Sequence, residues 1–412
     1  MKIDKNMAVW EFNRGEWTEA YVFLRLLGEG RIYGATTELI KDDTTYIDIV
    51  NVIRDEPDKM LIFERFVNDE IVYVQLYKDE EKLKIVTAPE FNEKADYLYK
   101  KLKELGTGKR KVGIPEIQEY MERFNIDTPK ANLSSSAKQK YGIKTDIIVT
   151  SEDSMDHVRT TGGFSIKSHI GSSPTLFNSS QSSGFVYKIA GCDEDGMHRL
   201  NAKDSLIDII SGIRKDYSME YVGCRNDIFE QNINMVDSRM DEILQYAMLL
   251  RVGYLPNESS TTVASTCQLL AEKNPLNVRN PQAFYTSKLK SFLFASFAGM
   301  TASEEWNGRK LLTGGYIDVD KDGGMLYYRA MSDDVFENYL YQHTCFDRPD
   351  RGELKEVAVA EGKCHLEERR SLTEEERAGV IDSCHGKKGD FGYVYQKDDE
   401  FFIVINFQIR FR

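Results

Sequence analysis

Between Thr45 and Ala88 the chain runs through four alternating segments, "TYIDIVNVIRDE", "DKMLIFERF", "EIVYVQLY" and "LKIVTA", separated by clusters of Asp, Glu, Asn or Lys. Period-two alternation broken by short polar turns predicts consecutive strands of an antiparallel meander, which excludes an all-helical fold. The preceding stretch "NRGEWTEAYVFLRLLGEG" reads as a helix closed by Gly28, with Trp17, Ala20, Phe23, Leu24 and Leu27 on one face. Residues 91–106 and 115–124 also read as helical. The expected fold class is therefore α+β.

Beyond the meander, "SSSAKQKYGIKT" reads as a polar, basic connector, followed by strands in "TDIIVTS", "GFSIKS" and "GFVYKI". From about residue 200 the pattern changes to longer helices over 202–215, 227–252, 260–273 and 281–299. A β-rich tail follows, holding "GGYIDVDKDGGMLYYR" and "EFFIVINFQIRFR". This predicts two parts, 1–200 and 201–412. No leader is evident at Met1, and no apolar run approaches the ~18 residues of a membrane span. Six cysteines without paired spacing point to a reducing compartment, the cytoplasm.

Charge is segregated. The chain carries 67 Asp+Glu against 54 Lys+Arg, a net −13, which argues against indiscriminate binding of nucleic acid by the whole surface. Yet Lys100–Lys144 holds eleven basic and five acidic residues, and the 34 residues from Arg159 to Cys192 contain no carboxylate at all. Eight serines crowd between Ser165 and Ser183. A non-acidic, hydroxyl-rich tract in an acidic protein suggests one face that meets a polyanion.

Within that tract Phe164 and Ile166 share one strand face, and Ser165 and Lys167 the other. Asp146 opens the neighbouring strand, so an aspartate and a lysine can meet at one sheet edge. Phosphodiester hydrolysis uses such a pair: the carboxylate holds Mg²⁺ and the lysine assists the attacking water. One carboxylate holds a divalent ion weakly, and Ser165 adds no charge. Glu16, within the apolar face of the first helix, or Glu19, at its edge, would supply it. The structural alternatives are a dipole-favoured acid at a helix start and a hairpin with a solvated lysine.

Three pieces, "GEWTEAYVFLRLLGEGRIY", "KTDIIV…GFSIKSHIGSSPTLFNSSQSSGFVYKI" and "FLFASFAGMTASEEWNGRKLLTGGYIDV" with the closing "INFQIRF", resemble HpaII-type restriction endonucleases, a branch of the PD-(D/E)XK nucleases. The resemblance implies a PD-(D/E)XK core, a mixed sheet flanked by helices, with helical and β-rich additions for DNA recognition. It implies Mg²⁺-dependent cutting of double-stranded DNA at a short site such as CCGG. Asp146 takes the first acid of the motif, Lys167 its lysine, and Ser165 the place of the usual Asp or Glu; Glu16 or Glu19 matches the helix glutamate. Two other functions stay open: a sequence-specific DNA-binding protein whose site is inactive because of Ser165, and a non-specific defence nuclease. A palindromic target would favour a homodimer, with a monomer as the alternative.

On this basis the strip after Lys167 supplies donors to DNA: Ser168, His169, Ser172, Ser173, Thr175, Asn178, Ser179 and Gln181. Lys109, Arg110 and Lys111 of "GTGKRK" lack Walker spacing and suit phosphate contacts. Phe401, Phe402, Phe407 and Phe411 fit a core strand, with Gln408 and Arg410 on the other parity facing DNA. "DVDKDGG" opens like a calcium loop, but Arg329 stands where the twelfth-position glutamate belongs, so it reads as a hairpin turn. Three cysteines and three histidines fall between His343 and His385; a structural Zn site is chemically feasible there, though no CxxC spacing supports it.

Overall fold

The computed structural model describes residues 8–36, 40–105, 111–171, 173–178, 182–255, 262–329, 333–347 and 391–412. In chain order the first elements are α1 (Arg14–Glu29), β1 (Arg31–Ala35), β2 (Lys41–Glu56), β3 (Lys59–Asn68), β4 (Ile71–Lys78), β5 (Glu81–Thr87), α2 (Ala88–Glu104), α3 (Pro115–Glu122), α4 (Ser135–Tyr141), β6 (Ile147–Asp153) and β7 (Arg159–Ser168). Next come β8 (Thr175–Phe177), β9 (Gly184–Ala190), α5 (Glu194–Asn201), α6 (Leu206–Asp216), β10 (Ser218–Cys224), α7 (Asp227–Val236), α8 (Met240–Arg251), α9 (Val263–Lys273) and α10 (Pro281–Phe297). The last are β11 (Gly315–Val319), β12 (Met325–Arg329), α11 (Asp333–His343), β13 (Thr344–Phe346), β14 (Val394–Lys397), β15 (Glu400–Asn406) and β16 (Ile409–Phe411). They divide into two units, Met1–Pro174 with Lys310–Tyr339, and Thr175–Arg309 with Leu340–Arg412. The division falls inside the serine-rich strip rather than near residue 200, which lies in α5, and a late segment returns to complete the first unit.

The first unit is a nine-stranded sheet in the order β1-β12-β11-β7-β6-β2-β3-β4-β5. The meander is as expected, β2 to β5 pairing antiparallel in sequence order. Its turns at Asp69–Glu70 and Asp79–Glu80 place both central residues at positive φ, matching the right-handed strand twist. β7 pairs antiparallel with β6 and parallel with β11. On one face, α1 and α2 bury Val52, Phe63, Val149, Phe164, Ile166 and Val319 in a common core. Helix α1 opens with a capping box between Asn13 and Glu16 and ends at Gly30, whose φ of 73° is left-handed. Gly28, expected to close the helix, instead permits close packing: a Cβ there would lie 2.2 Å from the Asn92 Oδ1.

The opposite face is covered at β6 by α4, which lies within the stretch expected to be a connector. Ser134 caps it, accepting from the Ala137 N–H, and Ala137 and Tyr141 pack on Ile148. The period was hidden because the helix has only two turns and buries only two side chains.

The second unit holds a four-stranded sheet, β10-β9-β15-β14, and a three-stranded one, β13-β16-β8. Phe177, Phe185, Phe229, Phe292 and Phe407 form its aromatic centre. The helix expected over 227–252 is two helices, α7 and α8, separated by an extended Asp237 and a left-handed Arg239. Lys288 pairs with Asp237 at the break. The stretch expected to be helical over 202–215 begins only at Leu206, capped by Ser205. Phe401, Phe407 and Phe411 are buried as their alternation suggested. Among the described residues no helix is long and apolar enough to cross a membrane.

Gly162 on β7 sits where a Cβ would come 2.6 Å from the Gly314 Cα and 2.7 Å from the Thr313 carbonyl oxygen, just before β11. Backbone on both sides cannot yield as a side chain can. Gly162→Ala should therefore destabilise the fold by about 1–3 kcal/mol, read as a lowered urea midpoint; an unchanged midpoint would mean that β7 and its neighbour can separate freely.

Candidate active site

Strand β6 begins at Ile147, opposite Phe164, whereas β7 runs on to Ser168. Past Phe164, β7 is thus paired with β11 on one side and has lost its β6 partner on the other. Asp146 fills that gap. Its N–H donates to the Phe164 carbonyl (2.9 Å), and its Oδ2 accepts from the Ile166 N–H (2.7 Å) and the Ser165 hydroxyl (3.1 Å). The Asp146 side chain does what the next residue of a longer strand would have done, and so is held rigidly.

Ser165 is buried, and Lys167 stands two residues on, half-buried on the same strand face. Among the described residues Lys167 has no hydrogen-bond or ion-pair partner. Across the parallel pairing its register neighbour is Asp318 on β11. Asp146, bonded to the Ser165 hydroxyl and the Ile166 N–H, and Lys167 lie along the same end of β7, where β6 has stopped.

The two candidate glutamates differ in their surroundings. Glu16 is spent on structure: its Oε2 accepts from the Asn13 N–H (3.0 Å) and its Oε1 from the Lys130 ammonium (2.7 Å). Burial pushes its carboxyl up, but Lys130, the Asn13 amide and the charge of Lys111 outweigh this and hold it below its ordinary value. Glu19, one turn further, accepts no hydrogen bond among the described residues. Burial and then the neighbouring Asp146 charge raise its carboxyl well above the ordinary value, against the pull of Lys130 and Arg54. Two carboxylates that repel each other, one without a directed partner, form a donor set that a hard divalent cation would relieve. Among the described residues no group of three or more His, Cys, Asp or Glu is gathered to hold a metal. A Mg²⁺ site needs no such group, since one or two carboxylates with water and substrate phosphate suffice.

Two residues not singled out from the sequence complete the acid cluster. Lys130 lies on a turn held by Arg54, whose guanidinium donates to the Thr128 carbonyl (3.0 Å), the Lys130 carbonyl (2.7 Å) and Glu56 (2.8 Å). Arg54 is almost wholly buried on the α1 side of β2, two residues after Val52. A charged side chain at an apolar parity position was the available signal.

The expected DNA-contacting residues are dispersed. Ser172, Ser179, Gln181, Lys109 and Arg110 lie outside the described residues. Ser168 is turned to the α1 side, accepting from the Thr18 hydroxyl (3.1 Å), because its parity is that of Ile166. Ser173 and Lys111 are exposed in the first unit. Thr175 and Asn178 belong to the second unit, as do Gln408 and Arg410; the Arg410 guanidinium is paired with Asp347. "DVDKDGG" is a hairpin turn, with Asp320 Oδ1 accepting from the N–H groups of Asp322 (2.6 Å) and Gly324 (2.9 Å). Of the residues considered for zinc, only His343 and Cys345 are described; the others, at 364–385, lie outside.

Comparison with known proteins gives the class of the chain, a site-specific deoxyribonuclease. The chain belongs to the HpaII restriction endonuclease family, whose model matches residues 13–362. It is 28% identical over 402 residues to the type II restriction enzyme HpaII of Haemophilus parainfluenzae, covering 97% of this chain and 98% of that relative. No solved structure matches it.

The raised Glu19 carboxyl has a consequence for stability. With the folded-state value above the unfolded 4.5, protonated Glu19 favours the fold. That contribution is complete below about pH 4.5 and is lost as pH rises through the raised value. In chelator, Glu19→Gln should melt above the wild type at pH 8 and level with it near pH 4. Equal melting at both would place the second acidic charge elsewhere.

Proposed function

We propose that this chain is a Mg²⁺-dependent type II restriction endonuclease built on a PD-(D/E)XK core. Helix α1 and the run β2-β6-β7-β11, antiparallel twice and then parallel, support that reading of the fold. The observation that carries the function is the Asp146 carboxylate bonded to the Ser165 hydroxyl and the Ile166 N–H where β6 stops, with Lys167 further along β7 and the Asp146 charge felt by Glu19. Asp146 and Glu19 would hold the metal, which when bound supplies a Lewis acid beside the scissile phosphate.

The chain's own residues account for the rest. Ser165 cannot add charge, but its hydroxyl fixes the Asp146 carboxylate, while Glu19 supplies the missing negative charge from α1. Lys130 occupies Glu16 and so leaves Glu19 as the carboxylate available to a ligand. Lys167, without a partner among the described residues, is available to donate to a phosphate oxygen or to orient the attacking water. The absence of carboxylates from Arg159 to Cys192 keeps repulsive charge away from the DNA backbone. A short palindromic target, for which the family suggests CCGG, would be matched by a two-fold homodimer, with the second unit contributing to recognition.

Cleavage of a long mixed-sequence duplex in Mg²⁺ should give discrete bands. Lys167→Ala, Asp146→Asn and Glu19→Gln should each lose at least about a hundredfold in single-turnover rate, whereas Glu16→Gln should stay within about tenfold. An inactive Glu16→Gln beside an active Glu19→Gln would reverse the metal assignment. A wild type that binds DNA yet cuts it in neither Mg²⁺ nor Mn²⁺ would make the protein a binding module, with Ser165 as the reason.

A further inference from the structure

Asp318 is a carboxylate that the proposed chemistry leaves unused, and it is only 5% exposed. It lies on β11 in direct register with Lys167, so the two side chains share a sheet face. The Tyr316 hydroxyl donates to its Oδ1, and Tyr316 in turn lies 3.2 Å, hydroxyl to hydroxyl, from Tyr339. Neutral hydroxyls do not balance a buried negative charge; a cation does. The group at ion-pair distance among the described residues is His169, a cation only when its ring is protonated, whose Nε2 is 3.2 Å from Asp318 Oδ1. The ring N–H direction is off that oxygen, so Nε2 is buried without a directed hydrogen bond, and the contact is one of charge rather than of aimed donor and acceptor.

His169 follows Lys167 by two residues, about 6.6 Å along an extended strand. Its own N–H continues the parallel pairing, donating to the Val319 carbonyl (2.8 Å), which fixes its backbone to β11. With Nε2 protonated toward Asp318, the second ring nitrogen carries a donor as well only in the imidazolium. A cation held in this way, at the start of a strip without carboxylates, suits a phosphate oxygen.

We propose that Asp318 and His169 form a buried charge pair that holds an imidazolium against a DNA backbone phosphate next to the one served by Lys167. His169 contacts the phosphate, and Asp318 is a positioning residue acting through it. The pair rests on the endonuclease reading, since it presumes that DNA lies along this face.

Each phosphate neutralised by a cation steepens the fall of log affinity with log salt by about 0.9 for B-form DNA. The test is binding of a mixed-sequence B-form duplex in EDTA, where hydrolysis is prevented, across a salt series. His169→Gln should make the slope shallower by about 0.9, Asp318→Asn should do the same, and the double variant should lose no more than either alone. His169→Lys should restore the slope, which a merely structural role would not do. A full slope in His169→Gln, or losses that add in the double variant, overturns the pair while leaving the nuclease reading intact. A wild type that shows no salt-dependent duplex binding removes both. If Asp318→Asn fails to fold, the contrast between His169→Gln and His169→Lys still decides whether a charge at this position meets phosphate.

Discussion

The candidate site depends on the place where β6 starts too late to pair with the end of β7. An unpaired strand edge inside a sheet would leave the Ile166 N–H without an acceptor, and the Asp146 carboxylate takes it. The Asp146 carboxylate is thereby fixed by a backbone bond as well as by the Ser165 hydroxyl. The same gap opens the sheet beside Lys167, so the constraint that holds the acid also gives the lysine room to reach a ligand. Glu19 comes from the helix layer, where packing of Trp17, Ala20 and Phe23 sets the rotation of α1 and thus the direction in which Glu19 points.

Much of this was legible in the sequence because it follows from short-range periodicity. The meander, the parity of Ser165 and Lys167, and the placing of Asp146 at the start of the strand beside them need only alternation and a hairpin. The different surroundings of Glu16 and Glu19 did not follow, because Glu16 is held by Lys130, more than a hundred residues away in the chain. Arg54 and its hold on the turn at Thr128–Lys130 were likewise hidden, since nothing local links residues 76 positions apart. Helix ends misled where a residue served two ends at once: Gly28 looked like a terminator and is a packing glycine, while Gly30 takes the left-handed turn. The two-helix break near Arg239 was masked by unbroken apolar periodicity on either side.

The serine-rich strip shows where composition and geometry part. As a sequence it looks like one DNA-facing ribbon. In the structure its first part is strand and turn of one unit, and from Thr175 it belongs to the other. Parity then sorts its members, Ser168 inward to Thr18 and His169 beside Asp318. The absence of acids is a property of the whole strip, but the contacts its residues make are individual.

The order of elements along the chain has a consequence for how activity is acquired. Strand β7 is flanked by β6, made just before it, and by β11, made about 150 residues later, after most of the second unit. At ribosomal rates of about 5–20 residues per second, the growing chain would carry a half-framed β7 for on the order of ten seconds. Throughout that interval Lys167 lacks the strand that sets its direction. Completion of the sheet around β7 is thus tied to near-completion of the polypeptide.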